Sequence, residues 1–166
     1  MTTISARLQK YLDGAKKPFR TVKHKTVFTA YDLGQTLKRK LEEIAKTLLV
    51  KTDGGYSLVV VRASDRLDLV KLKKALGAKK LTIAREGDMA KTLKVKPGAL
   101  TPFAGLHHLP LIVDKKLINE TKVLFGSGSF ECSVEMKMKD FLTLEHPTIA
   151  AFSTSAGLKL QVKVKK

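Results

Sequence analysis

The sequence predicts a single α/β domain built on a mixed β-sheet flanked by helices. Three observations carry that expectation. Strand-like and helix-like segments are interspersed along the chain rather than sorted into blocks. A β-hairpin, "EIAKTLLVKTDGGYSLVVVRA", lies among segments that need crossover connections, so antiparallel and parallel neighbours are both expected. The chain has 166 residues, 43% of them apolar, which suits one buried core.

The elements follow in chain order. "TISARLQKYLDG" places Ile4, Leu8, Tyr11 and Leu12 at helical spacing, and Gly14 suits the position just past a helix end. "PFRTVKH" reads as a short strand. In "TAYDLGQTLKRKL", Thr29 and Asp32 stand at capping-box spacing, with Asp in place of the usual Glu. Ala30, Leu33, Leu37 and Leu41 then share one face with Gly34, which costs about 1 kcal/mol against Ala inside a helix and so predicts close packing there. Asp53, Gly54 and Gly55 supply the turn of the hairpin. "DRLDLVKLKKALG" predicts a helix with Leu69, Leu72 and Leu76 inward and Gly77 as its stop. "KKLTIAR" is a strand, and "GDMAKTLKV" a short helix capped by Asp88. "LPLIVD" and "TKVLFGS" read as strands on either side of "KKLINE". "SVEMKMKDFLTL" begins with strand alternation and ends in a helical turn, and "TIAAFS" is a final strand. The terminal "LKLQVKVKK" fits an edge strand or a tail. The tail is favoured, giving a single domain over residues 1–153 and a basic C-terminal tail over 154–166.

Charge is the strongest global signal. Thirty-two Lys and Arg against fifteen Asp and Glu leave +17, and a polyanion is the natural partner. The other reading is a basic protein without a nucleic-acid ligand. No apolar run approaches the roughly 20 residues of a membrane span. No segment joins a basic face to an aromatic-rich apolar one, so a membrane partner is not expected. The N-terminus "MTTISARLQKYL" lacks signal-peptide character, and Cys132 is the single cysteine; cytoplasmic residence is the expectation.

Two places carry chemistry. Strand alternation puts Ile44, Lys46, Leu48 and Val50 on one face and Ala45, Thr47, Leu49 and Lys51 on the other. Lys46 in the middle of an apolar face either snorkels to water over a packed stem, pairs, or faces a cavity. The second place is "VKPGALTPFAGLHHLP", which holds three of the five prolines. Pro97 and Pro102 bracket Gly98, Ala99, Leu100 and Thr101, and so restrict their backbone strongly. Such a segment is a rigid turn, or a loop whose main-chain groups are preorganised for a ligand, with the Thr101 hydroxyl and the Phe103 ring beside it. Weaker signals surround these. "GSGS" at 126–129 lacks the lysine of a P-loop and the third glycine of a dinucleotide fingerprint. Adjacent His107 and His108, with His24 and His146 elsewhere, have no Cys or carboxylate partners at metal-ligand spacing, so neither metal nor other cofactor is expected.

From about His24 to Ala151 the chain resembles the YbaK-like aminoacyl-tRNA deacylases, freestanding relatives of the editing domain of bacterial prolyl-tRNA synthetases. The residues that carry the resemblance are "HKTVFTAYDLGQTL", "AKTLLVKTDGGYSLVVV", "LDLVKLKKALGAKKL", "KPGALTPFAGL", "LIVDKKLI" and "GSGSFECSVEMKMKDF". The resemblance implies a mixed, barrel-like sheet flanked by helices. It matches the family's essential lysine to Lys46 and its G-x-x-x-P loop to Gly98, Ala99, Leu100, Thr101 and Pro102, with Phe103 following. Ser129, His24 and Tyr31 fall within the matched segments as further site candidates. The implied activity is trans-editing: metal-independent hydrolysis of the ester of a mischarged tRNA, a small amino acid on proline tRNA being the expected substrate. Ordered main-chain donors would stabilise oxyanion charge while a positioned water attacks, and size exclusion would give selectivity. The implied partners are the aminoacylated acceptor end of tRNA and an aminoacyl-tRNA synthetase. A non-catalytic RNA-binding module and a synthetase accessory protein of the same fold are the competing readings. "AKTL" occurs at 45–48 and again at 90–93, so Lys46 and Lys91 have the same immediate neighbours.

Overall fold

The computed structural model of the chain describes residues 4–85, 88, 91 and 100–154. Its strands form three sheets. Five strands make the largest: β2 (Ala45–Thr52), β3 (Gly55–Arg62), β5 (Leu81–Ile83), β6 (Leu111–Asp114) and β9 (Thr148–Ala150), in the order β5-β2-β3-β6-β9. The β2–β3 and β2–β5 pairs are antiparallel, and the β3–β6 and β6–β9 pairs are parallel. The second sheet is β1 (Phe19–Lys23), β8 (Cys132–Lys137) and β7 (Lys122–Gly126), antiparallel throughout and ordered β1-β8-β7. The third pairs β4 (Arg66–Leu67) with β10 (Ser153–Thr154). The mixed α/β architecture is as the sequence predicts, and the described strands do not close into a barrel.

Alternation along the strands sorts three apolar clusters. Leu49, Leu58, Val60, Val113, Val123, Phe125, Val134 and Met136 turn toward one another between the two larger sheets. Helix α1 (Ala6–Ala15) closes this core with Leu8 and Leu12, and α4 (Met138–Glu145) with Phe141. The opposite face of the five-stranded sheet carries Val50, Val59, Val61 and Ile112 against Leu72 of α3 (Leu69–Ala75) and Phe152. The outer face of the three-stranded sheet, through Leu124, meets Val27, Ile44 and Leu33 of α2 (Ala30–Leu37).

Local chemistry explains the element ends. The Thr29 hydroxyl accepts from Asp32 N–H at 3.0 Å and starts α2. A Cβ on Gly34 would meet Leu41 Cδ2 at 3.0 Å and the Arg39 carbonyl at 3.2 Å, which is the close packing that Gly34 predicts. The helix stops at Lys38, in the left-handed conformation (φ 54°), so Leu41 packs from a 3-10 turn and not from the helix. Gly14 likewise lies inside α1, and Lys16 (φ 56°) takes the left-handed cap expected of it. Asp53 and Gly54 form the two-residue hairpin turn, with Thr52 paired to Gly55 at φ 120°. Asp68 caps α3 by accepting from Val70 and Lys71 N–H at 3.1 Å each. Leu72 is buried as expected, but Leu69 stands in the first turn and is exposed. Thr154 pairs with Arg66 in the third sheet; residues 155–166 and most of the expected "GDMAKTLKV" helix lie outside the described residues.

Candidate active site

One long strand sets up the site. On one side β2 pairs with β3 along its whole length. On the other side Ile44, just before β2, bridges Leu124 of β7, and β5 pairs with β2 only from Val50 onward. Between those contacts its edge has no strand partner among the described residues. The Leu49 carbonyl accepts from Ala84 N–H at this edge, so alternation turns the main-chain groups of Thr47 the same way. A cleft of about 430 Å³ opens here, walled by the edge of β2, the outer face of the three-stranded sheet and the start of α2.

Lys46 lines this cleft and is exposed. It shares a face with Leu48 and Val50, as alternation requires, but the main core lies behind the opposite face, with Ala45 and Leu49. The chain therefore spends no core position on the lysine. Thr47 also lines the cleft, and its Oγ1 is buried without a hydrogen-bond partner among the described residues.

The proline-bounded loop reaches the same cleft from the other side. Gly98 and Ala99 lie outside the described residues; Leu100 lines the cleft. Thr101 and Pro102 are buried, and the Thr101 hydroxyl also has no hydrogen-bond partner among the described residues. Phe103 does not face the cleft. Its ring is fully buried, edge-on to Phe125 and Phe141 with centroids 5.8 and 5.6 Å away. The sequence expectation of a substrate contact at Phe103 thus becomes an anchor, because an apolar ring of that size stabilises the loop by about 2–3 kcal/mol when buried. After it, the 3-10 turn Ala104–Leu106 is clamped from outside. The Glu145 carboxylate accepts from Gly105 N–H (3.0 Å) and from the Tyr11 hydroxyl (2.6 Å), and Arg7 donates to the Leu106 carbonyl at 2.5 Å. Burial raises the Glu145 pKa above the ordinary carboxylate range, and its donors only partly offset this.

The third wall is the outer face of the three-stranded sheet. His24 follows β1; its Nδ1 lies 2.8 Å from the Lys25 carbonyl and its Nε2 lies 3.0 Å from Ser133 Oγ. Ser133 sits mid-sheet, opposite Val22 on one side and Gly126 on the other. A Cβ on Gly126 would stand 2.5 Å from the Leu100 carbonyl oxygen, so the missing side chain is what admits the loop. Ser129 lines the cleft from the β7–β8 turn, where its hydroxyl accepts from Glu131 N–H at 3.1 Å. Below the cleft Glu135 bonds Arg39 (2.7 Å) and Arg20 (3.0 Å). Its burial works to raise its pKa, but the two guanidinium groups outweigh that and hold it below the usual range. At the mouth, Phe28 and Tyr31 flank the Thr29 cap with 63% and 55% of their surface exposed, and Phe28 tilts against Phe130 at 4.9 Å. Among the described residues, no group of three or more His, Cys, Asp or Glu could hold a metal ion, and no helix is long and apolar enough to cross a membrane.

The structure thus brings together Lys46, His24, Tyr31, Ser129 and Leu100, which come from separate segments. Sequence reasoning missed Thr47 and Ser133. Thr47 carried a signal, next to Lys46 in "AKTL"; Ser133 had none, since its partner lies 109 positions away.

Residues 24–144 match the model of the aminoacyl-tRNA editing domain. The chain belongs to this family. Among curated editing-domain relatives, proline–tRNA ligases of Staphylococcus saprophyticus and Staphylococcus aureus are 33% and 31% identical over 86 residues, 52% of this chain. The match spans only 15% of the length of those ligases. Two solved structures share the fold. A candidate trans-editing enzyme for prolyl tRNA synthetase superposes with a TM-score of 0.81 at 22% identity, over 92% of this chain and 99% of its own. A hypothetical protein gives a TM-score of 0.83 at 21% identity, over 89% and 99%.

Proposed function

We propose that this editing-domain protein is a trans-acting aminoacyl-tRNA deacylase that hydrolyses the ester of a mischarged tRNA, with a small amino acid on proline tRNA as its substrate. The observation that carries this reading is the convergence of exposed Lys46 and the Leu100 end of the proline-bounded loop on one cleft. The family and its proline–tRNA ligase relatives supply the substrate class.

In this reading Lys46 meets the negative charge of the substrate, either a terminal phosphate or the developing oxyanion. Loop main-chain groups from Gly98 through Thr101 hold the ester carbonyl and the ribose, and donors fixed before the reaction stabilise the transition state without reorganising. The edge of β2 that no described strand covers adds the main-chain groups and hydroxyl of Thr47. The exposed rings of Phe28 and Tyr31 offer faces on which the terminal base can stack. Size exclusion at the amino-acid end would restrict the substrate to a small one, the logic of a second sieve. The acceptor stem is met through phosphates by the lysine-rich surface, including the basic residues that follow the 1–153 domain. Water and protein groups suffice for the chemistry.

The test is a panel of tRNAs mischarged with Ala, Cys, Ser or Thr, incubated with the purified protein alone. Release of a small amino acid with correctly charged tRNA spared is expected. Binding without release points to the non-catalytic module, and release only when a synthetase is added points to the accessory protein.

A further inference from the structure

We propose that Ser133 is a catalytic hydroxyl and His24 the residue behind it, together forming the proton relay of the hydrolytic step; this rests on the deacylase reading. Geometry fixes the direction of the relay. The Lys25 carbonyl can only accept, so the His24 nitrogen 2.8 Å from it, Nδ1, carries the proton. The other nitrogen, Nε2, is then a free lone pair and accepts from Ser133 Oγ–H across 3.0 Å. A hydroxyl whose proton already points at a base, with the base oriented by a third group, is the arrangement that activates oxygen for proton transfer.

The placement fits the reaction. In β8, Cys132 and Val134 face the core, so Ser133 takes the opposite face. Gly126 is its directly opposed neighbour and shares that face. Gly126 is also the residue packed against the Leu100 carbonyl. The Ser133 hydroxyl therefore opens on the side where the loop arrives, and Ser133, His24, Lys46 and Leu100 all line the one cleft. A structural purpose does not require the pair, because the β1–β8 ladder is already complete from Phe19 to Lys23, and His24 N–H bonds the Glu131 carbonyl.

The step balances as follows. Water attacks the ester carbonyl carbon and forms the new C–O bond. Its proton passes to Ser133 Oγ as the serine proton moves to His24 Nε2, and the Lys25 carbonyl steadies the imidazolium through Nδ1–H. Collapse of the tetrahedral intermediate breaks the ester C–O bond. The proton returns by the same route to the departing ribose oxygen, leaving free amino acid and the tRNA hydroxyl.

Single-turnover deacylation of alanine-charged proline tRNA tests this, with tRNA binding measured alongside. Ser133→Ala and His24→Gln should each lower the rate by about 10²-fold, the usual scale of a general acid–base group. The double variant should lose no more than either alone, and binding should be unchanged. Ser133→Thr, which keeps the hydroxyl, should retain most activity, separating chemistry from folding. Wild-type rates in Ser133→Ala or His24→Gln, or additive losses in the double variant, would overturn the relay and leave the deacylase standing. A wild-type protein that releases nothing from the whole panel overturns both.

Discussion

Gly126 lies against the carbonyl oxygen of Leu100 so closely that a methyl group there would stand 2.5 Å away. No real Cβ contact is that short, and both flanking groups are main chain, so one of them must move. Gly126→Ala should displace the loop end from the cleft. We expect a stability loss of about 1–3 kcal/mol, typical of overpacking, and a drop in single-turnover rate of at least ~10-fold. Thermal denaturation and rapid-quench deacylation measure the two; a normal rate would mean that the loop position is immaterial.

The repeated "AKTL" provides an internal control. Lys46 lines the cleft, whereas Lys91 is an exposed helical residue outside it. Lys46→Ala should cost about two orders of magnitude in rate, the scale of a lost transition-state contact. Lys91→Ala should remove at most one phosphate contact and barely change the rate at low salt. Equal losses would show that positive charge in general, and no particular lysine, drives the reaction.

Glu135 links the sheet beneath the cleft to the segment after α2 through Arg20 and Arg39. Its pKa is lowered in the fold. A lowered carboxylate contributes stability above its unfolded pKa, near 4.3, and loses it as pH falls through the folded value. Glu135→Gln should therefore cost about 2–3 kcal/mol at neutral pH, and the gap to wild type should narrow as pH drops below about 4. Urea denaturation across that range checks the sign; a gap that widens in acid would refute it.

Binding to tRNA should weaken steeply with salt. Each neutralised phosphate contributes roughly −0.7 to −0.9 to the log–log slope, and several lysines are available, so a slope beyond about −3 is expected. Filter binding between low and physiological salt reads it directly. A flat response would assign the charge another purpose.

What could be read in advance depended on how far apart the interacting residues lie. The Thr29 cap, the Asp53–Gly54 turn and the close packing at Gly34 are local, and the sequence pattern anticipates each. Alternation put Lys46 on one face with Leu48 and Val50, but could not tell that the main core lies behind the other face. The exposure of Leu69 was not legible either, since helical spacing cannot say where a helix sits relative to its neighbours. Phe103 looked like a ligand contact because it follows the loop; only the presence of Phe125 and Phe141 beneath it turns the ring inward. The His24–Ser133 bond joins two strands paired across the chain, a relationship that spacing cannot encode.

The division of labour between the two basic residue types has a consequence in time. Among the described residues, ion pairs are made by Arg20, Arg39 and Arg62, and the lysines make none. Four acidic groups, Glu43, Asp65, Glu120 and Glu135, are thus held by planar guanidinium forks, while ammonium groups are compact, strongly hydrated charges on flexible stems. An RNA held by such groups is gripped by many weak, independent contacts and by no single latch. In the deacylase reading, arrival is then fast and so is departure, and a tRNA whose amino acid has been removed leaves as readily as it came.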